Sequence, residues 1–147
     1  MATQTIGAFL QQWGFKPHSS PVNSWDSFRA DGTALIQLWE RHAKRIHDVG
    51  VPDRYLRVRC WDAAHFATNG KASAVGYAGR RRSLDHIKSG GAAYVIMSAP
   101  PNNIALGPGV WAAHANLERA YPVNGLEEMT DGDVFLYVGS AVPMSDL

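Results

Sequence analysis

The spacing of apolar residues changes period several times along this chain, and each change marks an element. Ile6, Phe9, Leu10 and Trp13 recur at i, i+3, i+4 and i+7, the stripe of one helical face. Thr3 or Thr5 can cap its start and Gly14 can end it. Residues 15–23 hold two prolines and two serines and read as a loop. Residues 24–29 and 33–40 flank Ala30-Asp31-Gly32, and Asp-Gly between β-prone runs predicts a hairpin. In the second run Leu35, Ile36, Leu38 and Trp39 break strict alternation. A strand buried on both faces accounts for that, with a helix starting there as the competing reading.

Residues 55–61 alternate cleanly. Tyr55, Arg57, Arg59 and Trp61 fall on one face, and Leu56, Val58 and Cys60 on the other. Residues 62–75 are rich in small and polar side chains and read as a loop. Residues 77–89 return to a helical period, with Tyr77, Leu84 and Ile87 on one stripe and Gly90-Gly91 as the stop. Residues 92–99 are an apolar run that predicts a buried strand, and the proline-rich residues 100–109 predict an exposed loop. Residues 110–123 are ambiguous. Residues 126–129 and 134–138 flank Thr130-Asp131-Gly132-Asp133, a second Asp-Gly hairpin, and the tail after Gly139 reads as frayed.

Two or three helices and six or seven short strands, several paired in hairpins, predict the α+β class. The expected architecture is a curved antiparallel or mixed sheet, of a kind able to close into a small barrel. The 147 residues are expected to form a single domain, 1–147, whose core needs no metal or disulfide staple. The lone cysteine, Cys60, excludes an internal disulfide and a multi-cysteine zinc site, and it favours a cytoplasmic location. No run of about eighteen apolar residues predicts a membrane span, and the N-terminus lacks the pattern of a signal peptide.

Charge changes the picture more than composition does. The net charge is only +1. Yet residues 41–88 hold eleven of the fourteen Lys and Arg and only four Asp, a net of +7, which leaves −6 for the rest. Such asymmetry points to a polyanionic partner. Within the basic stretch, Arg57 and Arg59 alternate with Tyr55 and Trp61. Arginine forks grip phosphates and aromatic rings stack bases, so this face suits a single-stranded or flipped base. The bland alternative is an outer sheet face where arginines lie over rings as cation–π pairs.

Arg80-Arg81-Arg82 with His86 and Lys88 is the second basic cluster. Arg81–Asp85 and Arg82–His86 are i, i+4 pairs, which a solvated helix face would also show. Arg80 falls on the apolar stripe beside Leu84, where an arginine either enters a site or takes a buried partner. Of the five tryptophans, Trp13 sits on a core stripe, whereas Trp25 and Trp61 have polar neighbours and are candidates to stack a base.

Catalytic motifs are scarce. Asp26, Asp31, Glu40 and Asp62 bracket the first strands, and His42, His47 and His65 lie nearby. No acid-x-lysine nuclease spacing, zinc-protease motif, deaminase signature, P-loop, dinucleotide fingerprint or nucleophile elbow is present. Neither a cofactor nor a metal is expected.

Asn23-Ser24-Trp25-Asp26-Ser27-Phe28-Arg29-Ala30-Asp31-Gly32 leads to a strand ending in Trp39-Glu40. Further on come Gly76-Tyr77, the arginines, His86-Ile87, and Gly90-Gly91 before an apolar strand. Together these resemble a family of small uncharacterised bacterial proteins that share a tryptophan-rich N-terminal hairpin. Asp26 and Phe28 depart from that pattern, and the resemblance implies no activity. A likeness to base-reading barrels of the PUA type is an analogy of element count alone.

The expectation is therefore a nucleic-acid-binding module, with DNA or RNA as partner and no membrane. Arg57, Arg59, Arg80 and Arg82 would hold phosphates, Trp25 and Trp61 would stack a base, and Arg29 and His86 are further candidate contacts. The alternatives are a nuclease-like enzyme using Asp31, Glu40, Asp62 and a histidine, or a domain that binds an acidic protein partner.

Overall fold

The computed structural model describes residues 6–17, 26–45, 56–61, 74–101, 103, 111 and 113–147, apart from the side chains of residues 6–8, 17, 45, 61 and 74–79. The described elements are α1 (Ile6–Gln12), β1 (Phe15–Pro17), β2 (Asp26–Arg29), β3 (Ala34–Trp39), β4 (Ala43–Arg45), β5 (Leu56–Trp61), α2 (Ala74–Lys88), β6 (Ala93–Ser98), β7 (Arg119–Glu128), β8 (Val134–Val138) and β9 (Val142–Pro143). Short 3-10 turns follow β3, at Glu40–His42, and β9, at Met144–Asp146.

The strands form one mixed sheet in the order β1-β2-β3-β6-β7-β8-β5-β4, with β9 added on β7. The fold is thus α+β, and the sheet is open among the described residues, with β1 and β4 as its edges rather than joined into a barrel. Among the described strands only β3 and β6 pair in parallel; the chain between them passes through β4, β5 and α2. β7 runs for ten residues and serves three neighbours, β9 with its start, β6 with its middle and β8 with its end.

Both Asp-Gly signals give hairpins, β2–β3 and β7–β8, and Gly32 and Gly132 take the positive φ of 92° and 94° that these turns require. Ile36 and Leu38 of β3 belong to one core cluster and Leu35 to the other, so both faces of the strand are covered. Leu35, Ile36 and Leu38 are all buried, which resolves its broken alternation in favour of a strand. Gly14 and Gly90, at φ 81° and 87°, end the two helices where expected.

The sheet separates two cores. On one side Leu84 and Ile87 of α2 pack against Ile36, Val95, Val58, Leu136 and Val138. On the other, Phe9 and Leu10 of α1 pack with Phe15, Leu35, Ile96, Trp111 and Met144. Two loop expectations give way to this second core. Phe15 is buried and draws residues 15–17 into edge pairing with β2, where Pro17 loses nothing by lacking an N–H. The tail after Gly139 does not fray: Met144 is 2% exposed, and the Leu147 carbonyl accepts from Arg29 Nη1 at 3.1 Å.

Candidate nucleic-acid interface

The basic segment does not stay separate from the acidic remainder once the chain folds. Arg57 pairs with Glu127 at 2.8 Å, Lys88 with Glu128, and Arg80 with Asp26 at 2.8 Å. Each of these acids comes from outside residues 41–88. The cause is topological, because β5 pairs with β8, β8 with β7, and α2 lies over β2. The charge asymmetry of the sequence is therefore partly remixed in space.

Arg80 is the deepest of the basic residues. Its guanidinium donates from Nε to Asp26 Oδ2 at 2.8 Å and from Nη2 to Asp26 Oδ1 at 3.0 Å. Nη2 also donates to the Gln37 carbonyl at 2.9 Å, and Nη1 to the Cys60 carbonyl. Ser83 Oγ donates to Asp26 Oδ2 at 2.9 Å. A single guanidinium thus touches the neighbouring strands β2 and β3 and also β5, which lies well beyond them in the sheet order, so the sheet must curl around α2. Of the two roles its apolar setting allowed, Arg80 takes the buried partner. At 4% exposure it has no place on the described surface for a phosphate.

Arg29 is likewise engaged with the fold. It pairs with Asp31 at 3.0 Å, lies 5.1 Å from the centre of the Phe15 ring, and tethers the Leu147 carbonyl. That contact with Arg29 and the bonds from Thr33 hold the Asp31 carboxyl well below its usual range.

The outer face of β5 remains. Val58 and Cys60 point into the core, so Arg57 and Arg59 are carried on the opposite face, half-buried. The strand register sets Arg57 opposite Tyr137 and Lys44, and Arg59 opposite Phe135. The Arg57 guanidinium carbon sits 3.6 Å from the centre of the Phe135 ring. Glu127 holds it from the side and, as acceptor, keeps its pKa above the ordinary value. Tyr137 donates its hydroxyl to the same Glu127 oxygen at 3.2 Å. Phe135 and Tyr137 are half-buried and belong to neither core. Gly125, opposite Tyr137 on β7, has no side chain to cover it.

This face differs from the expected one in its aromatics. The register of β5 slips between Arg59 and Trp61, so that Trp61 comes opposite the core residue Val134 and not in step with Arg59. A bulge there interrupts the alternation that placed Trp61 beside the two arginines. The side chain of Trp61, and all of Trp25 and Tyr55, lie outside the described residues. The rings beside Arg57 and Arg59 come instead from β8. The alternation of aromatic Phe135 and Tyr137 with aliphatic Val134, Leu136 and Val138 puts both rings on one strand face and could have announced them, but the strand that would lie beside them could not be read from spacing.

Arg82 and His86 do come together, around Phe28. Arg82 lies 5.6 Å from the Phe28 ring centre, and His86 meets the ring edge-on at 5.8 Å and 85°. For the nuclease-like alternative, Asp31 and Glu40 lie beyond opposite ends of β3, whose six residues span roughly 20 Å at about 3.3 Å per residue. Among the described residues no three His, Cys, Asp or Glu side chains converge as metal ligands. Asp62 lies outside the described residues. No described helix is long and apolar enough to cross a membrane. No family model, no curated protein and no solved structure matches this chain.

Proposed function

We propose that this protein is a nucleic-acid-binding module whose contact surface is the outer face of β4, β5 and β8. The observation that carries this reading is the Arg57 guanidinium stacked on Phe135, with Lys44, Arg59 and Tyr137 beside it on one sheet face. Cations on such a face meet phosphates, and partly exposed rings that belong to no core stack unpaired bases. Glu127 holds Arg57 in place through the arginine's Nη2 and Nε donors. The ligand that suits this face is single-stranded, because a duplex hides its base faces and offers only phosphates and groove edges.

Fluorescence anisotropy with single-stranded DNA, single-stranded RNA and duplex of equal length tests the reading. Three cations engaging a single strand give a salt slope of about −2, so affinity should fall roughly fifteen-fold between about 50 and 200 mM salt. Single strands should bind more tightly than duplex. An absence of binding to every probe at low salt overturns the reading. A response shared with polyglutamate, and unaffected by loss of the rings, overturns it in favour of an acidic protein partner.

A further inference from the structure

We propose that Met129 is a redox-modification site: a peroxide-class oxidant converts its thioether to the sulfoxide, and Arg57 captures the new oxygen. The consequence for strand binding rests on the interface proposed above. Met129 leads from β7 into the second Asp-Gly turn, and the turn fixes its backbone. Its N–H donates to the Asp133 carbonyl at 2.8 Å, and its carbonyl accepts from the Gly132 N–H at 3.1 Å. Its side chain is 40% exposed and is the one exposed large apolar side chain among the described residues. Met97 and Met144 are buried, one in each of the two cores. An oxidant in water therefore reaches the sulfur of Met129 and not those of the other two described methionines.

A strong donor is already fixed beside that sulfur. Arg57 Nη2 lies 3.6 Å from Met129 Sδ, within reach of the weak hydrogen bond that a thioether accepts. The guanidinium is held there independently of the sulfur. Glu127 Oε1 accepts from Nη2 at 2.8 Å and from Nε at 3.3 Å, and the guanidinium carbon sits 3.6 Å from the centre of the Phe135 ring. In the reduced protein the sulfur makes little use of this donor, because a thioether is a poor acceptor.

Oxidation changes the acceptor and leaves the charge of Arg57 as it was. The sulfur lone pair attacks one peroxide oxygen and the O–O bond breaks. An S–O bond forms, and the other oxygen leaves as hydroxide and takes up a proton to become water. Sulfur gives up two electrons and the peroxide gains them. The product is a polar, chiral sulfoxide whose oxygen carries partial negative charge. A cationic N–H donor binds such an oxygen more strongly than it binds thioether sulfur. Nη2 carries two N–H groups, of which one serves Glu127 and the sulfoxide takes the other. A phosphate arriving at Arg57 then finds that donor occupied, so oxidation weakens binding without removing a cation.

The test treats the full chain with dilute hydrogen peroxide. Peptide mapping should find the added oxygen at Met129 before Met97 or Met144. The Arg57 Nε–Hε cross-peak in an NMR spectrum should shift on oxidation with no nucleic acid present, and the melting temperature should stay near that of the reduced protein. Anisotropy should then show single-strand binding weakened about two- to tenfold, the worth of one exchanged hydrogen bond. Methionine sulfoxide reductase should restore the affinity. Met129→Leu should lose the response to peroxide. Oxidation of Met97 or Met144 as early as Met129, an unmoved Arg57 cross-peak, a fall in melting temperature, or equal affinity of the oxidised and reduced forms would each overturn the proposal. Failure of the reduced protein to bind any strand would overturn the interface, and the effect on binding with it. The mapping and the cross-peak would still decide whether Arg57 captures the sulfoxide.

Discussion

Arg80 of α2 and Asp26 of β2 form a two-pronged ion pair, with side chains 5% and 0% exposed. The pair joins the helix to the first hairpin, and the bonds of Arg80 to the Gln37 and Cys60 carbonyls extend the junction to β3 and β5. Two buried charges satisfy one another here, and each is costly without its partner.

Breaking the pair from one side should therefore be strongly destabilising. Arg80→Met or Asp26→Leu alone is expected to lose about 3–5 kcal/mol, because an uncompensated charge stays buried. The double variant should lose less than the two singles combined, with a coupling of about 0.5–3 kcal/mol. Urea melts of the four proteins measure this directly. Additive losses would mean that the two groups do not stabilise each other.

Two buried serines should respond in opposite senses. Ser83 Oγ serves Asp26, whereas Ser27 Oγ is buried with no hydrogen-bond partner among the described residues. Ser83→Ala should destabilise by about 1–3 kcal/mol, since it takes a donor from a buried carboxylate. Ser27→Ala removes a hydroxyl that was desolvated without return, and should leave stability unchanged or raise it by roughly 1 kcal/mol. Thermal melts of the two variants side by side decide.

On the proposed interface, charge and stacking separate by their salt dependence. Arg59→Ala should weaken binding to all sequences alike and reduce the salt slope by about 1. Tyr137→Ala should cost about 1–3 kcal/mol of binding with the slope unchanged. Because Tyr137 belongs to neither core, its melting temperature should stay near that of the parent. A large fall in melting temperature would instead make Tyr137 a structural residue.

Cys60 should be inert in the native protein. Burial pushes its thiol from 9.0 up to about 12, and the nucleophile in thiol chemistry is the thiolate. A disulfide reagent at pH 8 should react with Cys60 only in step with unfolding. The folded state holds the thiol proton more tightly than the unfolded one. Its contribution to stability is therefore complete below the ordinary value of 9.0 and is lost as pH rises toward about 12. Midpoints of urea melts between pH 8 and 10.5 should fall more steeply for the parent than for Cys60→Ala.

Much of the local architecture was determined by the sequence alone, because it depends on interactions between near neighbours. Asp31-Gly32 and Asp131-Gly132 specify turns through the φ of one residue. Gly14 and Gly90 stop helices in the same way. The apolar run at residues 93–98 has no polar face to present and becomes a strand covered on both sides. Even the discord of Arg80 on an apolar stripe was visible, since a charge there demands a partner. What the spacing could not supply was the partner's identity. Asp26 lies 54 positions away and Glu127 lies 70 positions from Arg57, and no periodicity connects residues at those separations. Only the order of strands decided that the acidic remainder would neutralise part of the basic segment. The same order set Phe135 and Tyr137 beside the arginines, and one slipped register between Arg59 and Trp61 took the expected tryptophan out of step with them. Periodicity assigns a residue to a face; which other faces come to lie beside it is a property of long-range pairing, and that is settled by burial of the whole chain at once.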